Sequence, residues 1–116
     1  MDSGMIHIDY EMLSDVARIQ SIDANLIRKA QGWLGRKARA KILEILDPRL
    51  RVQAAQIAQR QISPLLLYEA GRRAVLDAIT LYDPGEQKEF HKFAEAIVQQ
   101  AMFSAKMKRM EPAAAR

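Results

Sequence analysis

Few residues in this 116-residue sequence have the types and spacing that covalent or metal chemistry needs. There is no cysteine, which excludes a disulfide framework, a thiolate metal site and a cysteine nucleophile. The two histidines, His7 and His91, are far apart in sequence, and His91 beside Phe90 is typical of a surface or boundary residue. Glu86 and Glu89 fall at a predicted helix start, where carboxylates oppose the positive end of the helix dipole.

The sequence also lacks the motifs that position a phosphate or an activated nucleophile. It has neither a glycine-rich phosphate loop nor a nucleophile elbow. No run of residues approaches the roughly 20 apolar residues that span a membrane, and the N-terminus lacks a signal-peptide pattern. We therefore predict a soluble, cytoplasmic protein that is not an enzyme, with no metal, no cofactor and no membrane partner.

The positive charge of the chain is concentrated in one segment. The net charge is +4, yet residues 28–60 alone hold nine basic and two acidic residues. Such a segment can meet an anionic partner. For Lys29, Arg36 and Arg39 the simpler interpretation is a solvated helix face, and Trp33 is interpreted as a core residue rather than a base-stacking one. The candidates for nucleic-acid binding are cations in this segment and at the end of the last helix: Lys29, Arg36, Arg39, Lys106, Lys108 and Arg109.

Proline and glycine divide the chain into elements that position these cations. Asp47-Pro48 and Ser63-Pro64 each match an N-cap followed by proline at the first helical position. Asp83-Pro84-Gly85 predicts a turn between two helices. No alternating segment predicts a strand. We predict an all-α fold, a single small bundle over 1–116. Its five helices lie near 9–20, 23–46, 48–61, 64–82 and 87–109, and a frayed tail occupies 110–116.

The apolar residues predict which faces pack. In the second helix one stripe joins Ile27, Ala30, Leu34, Ala38, Ile42 and Ile45, while Gly32 and Gly35 allow close packing or mark a break near Trp33. The fourth helix is apolar nearly all round, with stripes through Leu67, Gly71, Ala74 and Ala78 and through Leu65, Tyr68, Val75 and Ile79, which predicts a central position. The last helix presents Phe90, Ala94, Ile97 and Ala101, with Phe93 beside them.

Two motifs stand close together in the C-terminal half. Residues 71–84 read G-R-R-A-V-L-D-A-I-T-L-Y-D-P, and Phe90, Phe93 and Ala94 follow in the pattern F-x-x-F-A. These motifs resemble region 2 of bacterial sigma factors of the housekeeping and flagellar type. The family pattern is G-x-x-G-L-x-x-A-V-x-x-[FY]-D-P, followed at the same spacing by F-x-x-[YF]-A. The resemblance covers 48–109 and leaves 1–47 unassigned. No stretch resembling region 4 follows, so it implies a truncated sigma factor.

The residues that would pack the sigma-like helix pair are kept better than those that would contact partners. Ala96 and Ile97 stand where housekeeping members have two tryptophans, and Gln99 stands where the family has an arginine; flagellar members also lack the tryptophan pair. By position, the surface that would meet the clamp of RNA polymerase is Glu69, Arg72, Arg73 and Leu76.

The resemblance implies a transcription-related binding protein whose partners are RNA polymerase, DNA or both. The alternative is a sigma mimic or helical adaptor that binds another protein, such as an anti-sigma factor, without reading DNA. A third interpretation is a basic helical domain of unrelated origin that self-associates.

Overall fold

The computed structural model describes residues 17–85 and 88–111, and these residues form helices and connecting turns without a strand. Residues 17–20 are helical and are labelled α1. The four following helices are α2 (Ala24–Gln31), α3 (Arg36–Ala58), α4 (Pro64–Leu81) and α5 (Phe90–Met110). The predicted all-α class is confirmed. None of the described helices is long and apolar enough to cross a bilayer.

The observed helix ends agree with the predicted ends more closely in the C-terminal half than in the N-terminal half. The helices predicted at 64–82 and 87–109 match α4 and α5 to within three residues at each end. The predicted helix at 9–20 is described only from residue 17, and 112–116 of the predicted frayed tail lie outside the described residues. Met110 was assigned to that tail but belongs to α5.

The prediction of a helix end at Asp47-Pro48 is wrong, because α3 continues through Pro48 without interruption. Proline inside a helix removes one backbone hydrogen bond and costs about 3 kcal/mol relative to alanine. The burial of apolar side chains near Pro48 offsets this cost, since Ile45, Leu46 and Leu50 all lie in the core. Each such side chain contributes roughly 1.5–3 kcal/mol. Packing, and not the local Asp-Pro signal, therefore determines the course of α3.

The chain breaks instead at Gly32–Gly35, between α2 and α3. The Gly32 N–H donates to the Lys29 carbonyl at 3.2 Å, and the Gly35 N–H donates to the Gly32 carbonyl at 2.9 Å. A Cβ on Gly35 would lie 1.9 Å from the Lys29 carbonyl oxygen, so only glycine fits there. The Arg39 guanidinium closes the turn, donating through Nη1 to the carbonyls of Ala30 at 2.9 Å and Gly32 at 3.0 Å.

The central helix is α4, which contacts α2, α3 and α5 as its apolar sequence predicts. Gly71 marks a close approach, because a Cβ there would lie 2.5 Å from the Met102 methyl group and 3.2 Å from Leu50 Cδ2. The predicted second stripe is only partly right, since Leu65 is largely exposed. The residues of α4 that are buried are Leu67, Gly71, Ala74, Val75, Ala78 and Ile79.

The α4–α5 pair is closed at one end by a turn and three aromatic rings. The Gly85 N–H donates to Asp83 Oδ1 at 2.9 Å, which confirms the predicted turn. The Tyr82 ring meets the Phe90 ring edge-on, with centroids 5.3 Å apart, and lies 5.4 Å from the Phe93 ring. The buried face of α5 repeats every four residues and comprises Phe90, Ala94, Val98, Met102 and Lys106, while the predicted Ile97 and Ala101 are half-buried beside it.

The two glycines of the turn offer a matched pair of substitutions. Gly35→Ala should lower the free energy of unfolding by about 1–3 kcal/mol, because the new methyl group must displace the backbone of α2. Gly32→Ala should change it little, since the nearest atom to its Cβ is 3.5 Å away. Urea unfolding followed by circular dichroism measures both. Equal stability of the two variants would contradict this account of the turn.

Candidate functional site

The four residues expected to face a polymerase lie together on one side of α4. Glu69, Arg72, Arg73 and Leu76 follow the three- and four-residue spacing of a single helix face, and all four are exposed. We call these four residues the outer face of α4. It carries one carboxylate, two guanidinium groups and one apolar side chain, so it is a mixed and not an acidic surface.

One end of the outer face is anchored to α3 by a polar cluster. Arg51 Nε donates to Asp47 Oδ2 at 2.7 Å, and the Tyr68 hydroxyl donates to Asp47 Oδ1. The Arg51 guanidinium carbon lies 4.6 Å from the centre of the Tyr68 ring, and that of Arg72 lies 6.0 Å from it. Cations at such positions are attracted by the electron-rich face of the ring. This cluster was not predicted, because Asp47 was assigned as the N-cap of a separate helix.

The Asp47 carboxyl is the group whose charge holds this cluster together. Burial raises its pKa, but hydrogen bonds from Tyr68 and Arg51 lower it, as does the positive charge of Arg51 and Arg72. The net effect is a pKa below the ordinary aspartate value. Asp47 is therefore ionised at neutral pH and attracts both guanidinium groups.

The second candidate surface is the Gly32–Gly35 turn, where the prediction of a core position for Trp33 is wrong. Trp33 is 88% exposed and Leu34 is 76% exposed. Both residues were assigned to the predicted helix 23–46, with a break near Trp33 as one of two interpretations of Gly32 and Gly35. The break is what the structure has: α2 ends at Gln31, and the helical period that would bury Leu34 stops there. Trp33 and Leu34 border an open depression of about 470 Å³, lined also by Arg28, Lys29, Gly32, Gly35, Lys37 and Ala38.

The predicted cationic stripe on one helix does not form. Lys29 lies on α2, whereas Arg36 and Arg39 lie on α3. Lys29 and Arg36 are exposed, and both stay available to a partner. Arg39 is half-buried, and its guanidinium already donates hydrogen bonds to the carbonyls of Ala30 and Gly32. Arg39 thus positions the turn, and a phosphate would have to compete with those two hydrogen bonds.

At the end of α5, the structure separates Lys106 from Lys108 and Arg109. Lys106 is buried, and its ammonium group donates to the Ile57 carbonyl at 2.6 Å and to Gln59 Oε1 at 3.0 Å. It therefore joins α5 to the end of α3 and does not face solvent as a nucleic-acid ligand would. The signal was present in the sequence, because Lys106 continues the four-residue register of the buried face of α5. Lys108 and Arg109 are exposed.

A groove between α3 and α5 was missed by the sequence analysis. It has a volume of about 500 Å³, and Leu50, Val75 and Val98 contribute to its apolar floor. Arg49 Nη1 and Glu95 Oε2 on its rim are 4.0 Å apart. The groove depends on α3 being continuous past Pro48, which the predicted helix end concealed. Its complete lining is Leu46, Pro48, Arg49, Leu50, Val52, Gln53, Gln56, Ile57, Val75, His91, Ala94, Glu95, Val98 and Gln99.

The residues considered for catalysis and metal binding are dispersed. His91 is half-buried, and its Nδ1 lies 3.3 Å from Glu89 Oε2 at the start of α5. His7 and Glu86 lie outside the described residues. Within 17–85 and 88–111, no three side chains of the metal-binding types lie close enough together to hold an ion.

The lowered pKa of Asp47 predicts a pH-dependent contribution to stability. The contribution is present above the unfolded-state pKa of about 3.9 and is lost as the pH falls through the lower folded-state pKa. Asp47→Asn should therefore unfold at lower urea than the parent chain at pH 7, and the difference should shrink as acid protonates Asp47 in the parent. Asp77→Asn, which changes an exposed aspartate of α4, is the matched control. A constant difference across the pH range would contradict this role of Asp47.

No protein-family model, no curated protein and no solved structure matches this chain. The resemblance to sigma factors therefore remains a hypothesis that rests on the two sequence motifs. The geometry of the outer face of α4, the Gly32–Gly35 turn and the α3–α5 groove is independent of that hypothesis, and it identifies three surfaces on which binding can be tested.

Proposed function

We propose that this chain is a transcription-related, non-enzymatic binding protein that resembles a truncated sigma factor and contacts RNA polymerase, promoter DNA or both. The observation that carries the proposal is the α4–α5 pair. The turn after Tyr82 and the aromatic contacts of Tyr82 with Phe90 and Phe93 join the two helices at the positions of the two sigma-like motifs. The same pair leaves the outer face of α4 exposed, where a sigma factor would meet polymerase.

The outer face of α4 has features that suit a protein partner. Leu76 supplies an apolar contact, and it is exposed although its neighbour Val75 is fully buried. Arg72 is drawn toward the Tyr68 ring and Asp47, so less side-chain freedom is lost when a partner binds it. Arg72 and Arg73 give this face two exposed positive charges, so the part of a partner that meets them should carry carboxylates.

Retention of purified RNA polymerase on the immobilised chain tests the polymerase contact. Arg73→Glu combined with Leu76→Ser should weaken retention about tenfold or more, because a charge pair and an apolar contact are lost together. Both residues are exposed, so the fold should be preserved. Arg73 is chosen over Arg72 because Arg72 also interacts with the Asp47 cluster.

Lys92→Glu is the matched control, since it reverses one exposed charge on α5. It should leave polymerase retention unchanged. Equal retention of the double variant and the control, or no retention of the parent chain at low salt, would refute a polymerase contact through the outer face of α4.

The α3–α5 groove favours a second candidate function, an adaptor that binds another protein such as an anti-sigma factor. The groove has an apolar floor and a polar rim, which suits the binding of an amphipathic helix by its apolar face. Gln56→Glu with Gln99→Glu adds two charges at exposed positions of the rim. This variant should no longer bind a purified anti-sigma factor, whereas the Arg73→Glu variant should still bind it. Unchanged binding of the anti-sigma factor by the double glutamate variant would rule out the groove as the adaptor surface.

A further inference from the structure

The Gly32–Gly35 turn displays an aromatic ring inside the most basic part of the chain. The nearest acidic residues in sequence are Asp23 and Glu44, so the intervening 20 residues carry no negative charge. The ring of Trp33 lies between the end of α2 and the start of α3, and both of these helix ends are cationic. The six cations of this stretch are Arg28, Lys29, Arg36, Lys37, Arg39 and Lys41.

The turn holds Trp33 in place without covering it. Arg39 fixes the carbonyls on one side of Trp33, and Gly35 allows the backbone to pass against Lys29. Yet Trp33 is 88% exposed, and in the described chain no aromatic ring stacks on its ring. Since the turn already holds the backbone at Trp33, a flat ligand that stacks on the ring restricts only the side-chain torsions of this residue.

We infer that the Gly32–Gly35 turn binds an unpaired strand of nucleic acid, with Trp33 stacking on a base and the neighbouring cations contacting phosphates. This inference rests on the proposed function, since it names the form of nucleic acid recognised. Every base has a face on which an aromatic ring stacks, whereas bases in a duplex are already stacked on one another. Exposed cations on both sides of Trp33 match the phosphates that precede and follow the stacked base.

Two further observations agree with phosphate binding at this turn. Lys29 and Lys37 both line the open depression beside the ring, whose volume of about 470 Å³ leaves room for a nucleotide. In addition, no side chain caps the N-terminus of α3, which begins directly after Gly35. The backbone N–H groups of that first turn point out of the helix with the positive end of its dipole.

An anionic membrane surface is a different partner and is less well matched by the turn. Binding to a bilayer requires buried apolar area, and Trp33 and Leu34 are the exposed large apolar residues of this region. The apolar residues of α2, Ile27 and Ala30, are committed to the core. A base, in contrast, needs only one free ring face.

Trp33 is the single tryptophan of the chain, so its fluorescence reports on this site alone. A thymidine oligonucleotide and a uridine oligonucleotide of equal length, a duplex DNA and vesicles containing an anionic phospholipid are the probes. Either single strand should quench the emission at low salt, and the tighter of the two identifies DNA or RNA as the preferred strand. The duplex should quench much less.

Affinities of the variants are measured by the anisotropy of a labelled strand. Trp33→Ala should weaken binding about 5- to 140-fold, the range expected for one stacked base. Trp33→Phe should restore most of the affinity, and Leu34→Ala should leave strand binding nearly unchanged. Lys37→Ala should reduce the slope of log affinity against log salt by about 0.7. Arg60→Ala, a control cation beyond the far end of α3, should leave the slope as it is.

Three outcomes would overturn the inference. These are equal strand binding by Trp33→Ala and the parent chain, an emission change with vesicles but not with either strand, and equal binding of duplex and single strand. Retention of polymerase by the same preparation distinguishes the two proposals. If the chain retains polymerase but binds no strand, only the strand site is refuted. If the chain binds the strand but retains no polymerase, only the contact through α4 is refuted.

Discussion

Burial of α4 against three other helices determines how the remaining helices are arranged. Gly71 brings α4 close to Met102 and Leu50, so that α5 and α3 pack on neighbouring sides of one helix. Gln31 Nε2 adds α2 by donating to the carbonyl of Ile79 at 3.0 Å. With its buried sides occupied, α4 has one side left for solvent, and this is the side that carries the outer face.

The sequence predicted the elements whose apolar residues are periodic, and it failed where local signals and packing disagree. The limits of α4 could be predicted because Ser63-Pro64 and Asp83-Pro84 interrupt the chain where the residue before each proline is exposed. Asp47-Pro48 carries the same signal as Ser63-Pro64, but its neighbours are core residues that keep α3 continuous. A local rule based on proline gives no information about which of the two sites is buried.

The same reasoning explains which part of the candidate sites could be predicted. The outer face of α4 follows from helical spacing once α4 is known, so its four residues share one exposed side of the helix. Its use as a partner surface stays a prediction. The α3–α5 groove and the Asp47–Tyr68 contact join residues that are distant in sequence, and they depend on how α3 crosses its neighbours. One sequence without its three-dimensional packing does not specify such pairs.

The cations of this chain divide into those that hold the fold and those that remain for a partner. Arg39 and Lys106 each bond to backbone carbonyls at a helix end, where the partial negative charge of the helix is concentrated. Arg51 is paired with Asp47. Net charge alone therefore overstates the surface available to an anion. The exposed cations beside Trp33 are distinguished not by their number but by their position, since they flank a ring that the fold holds in solvent.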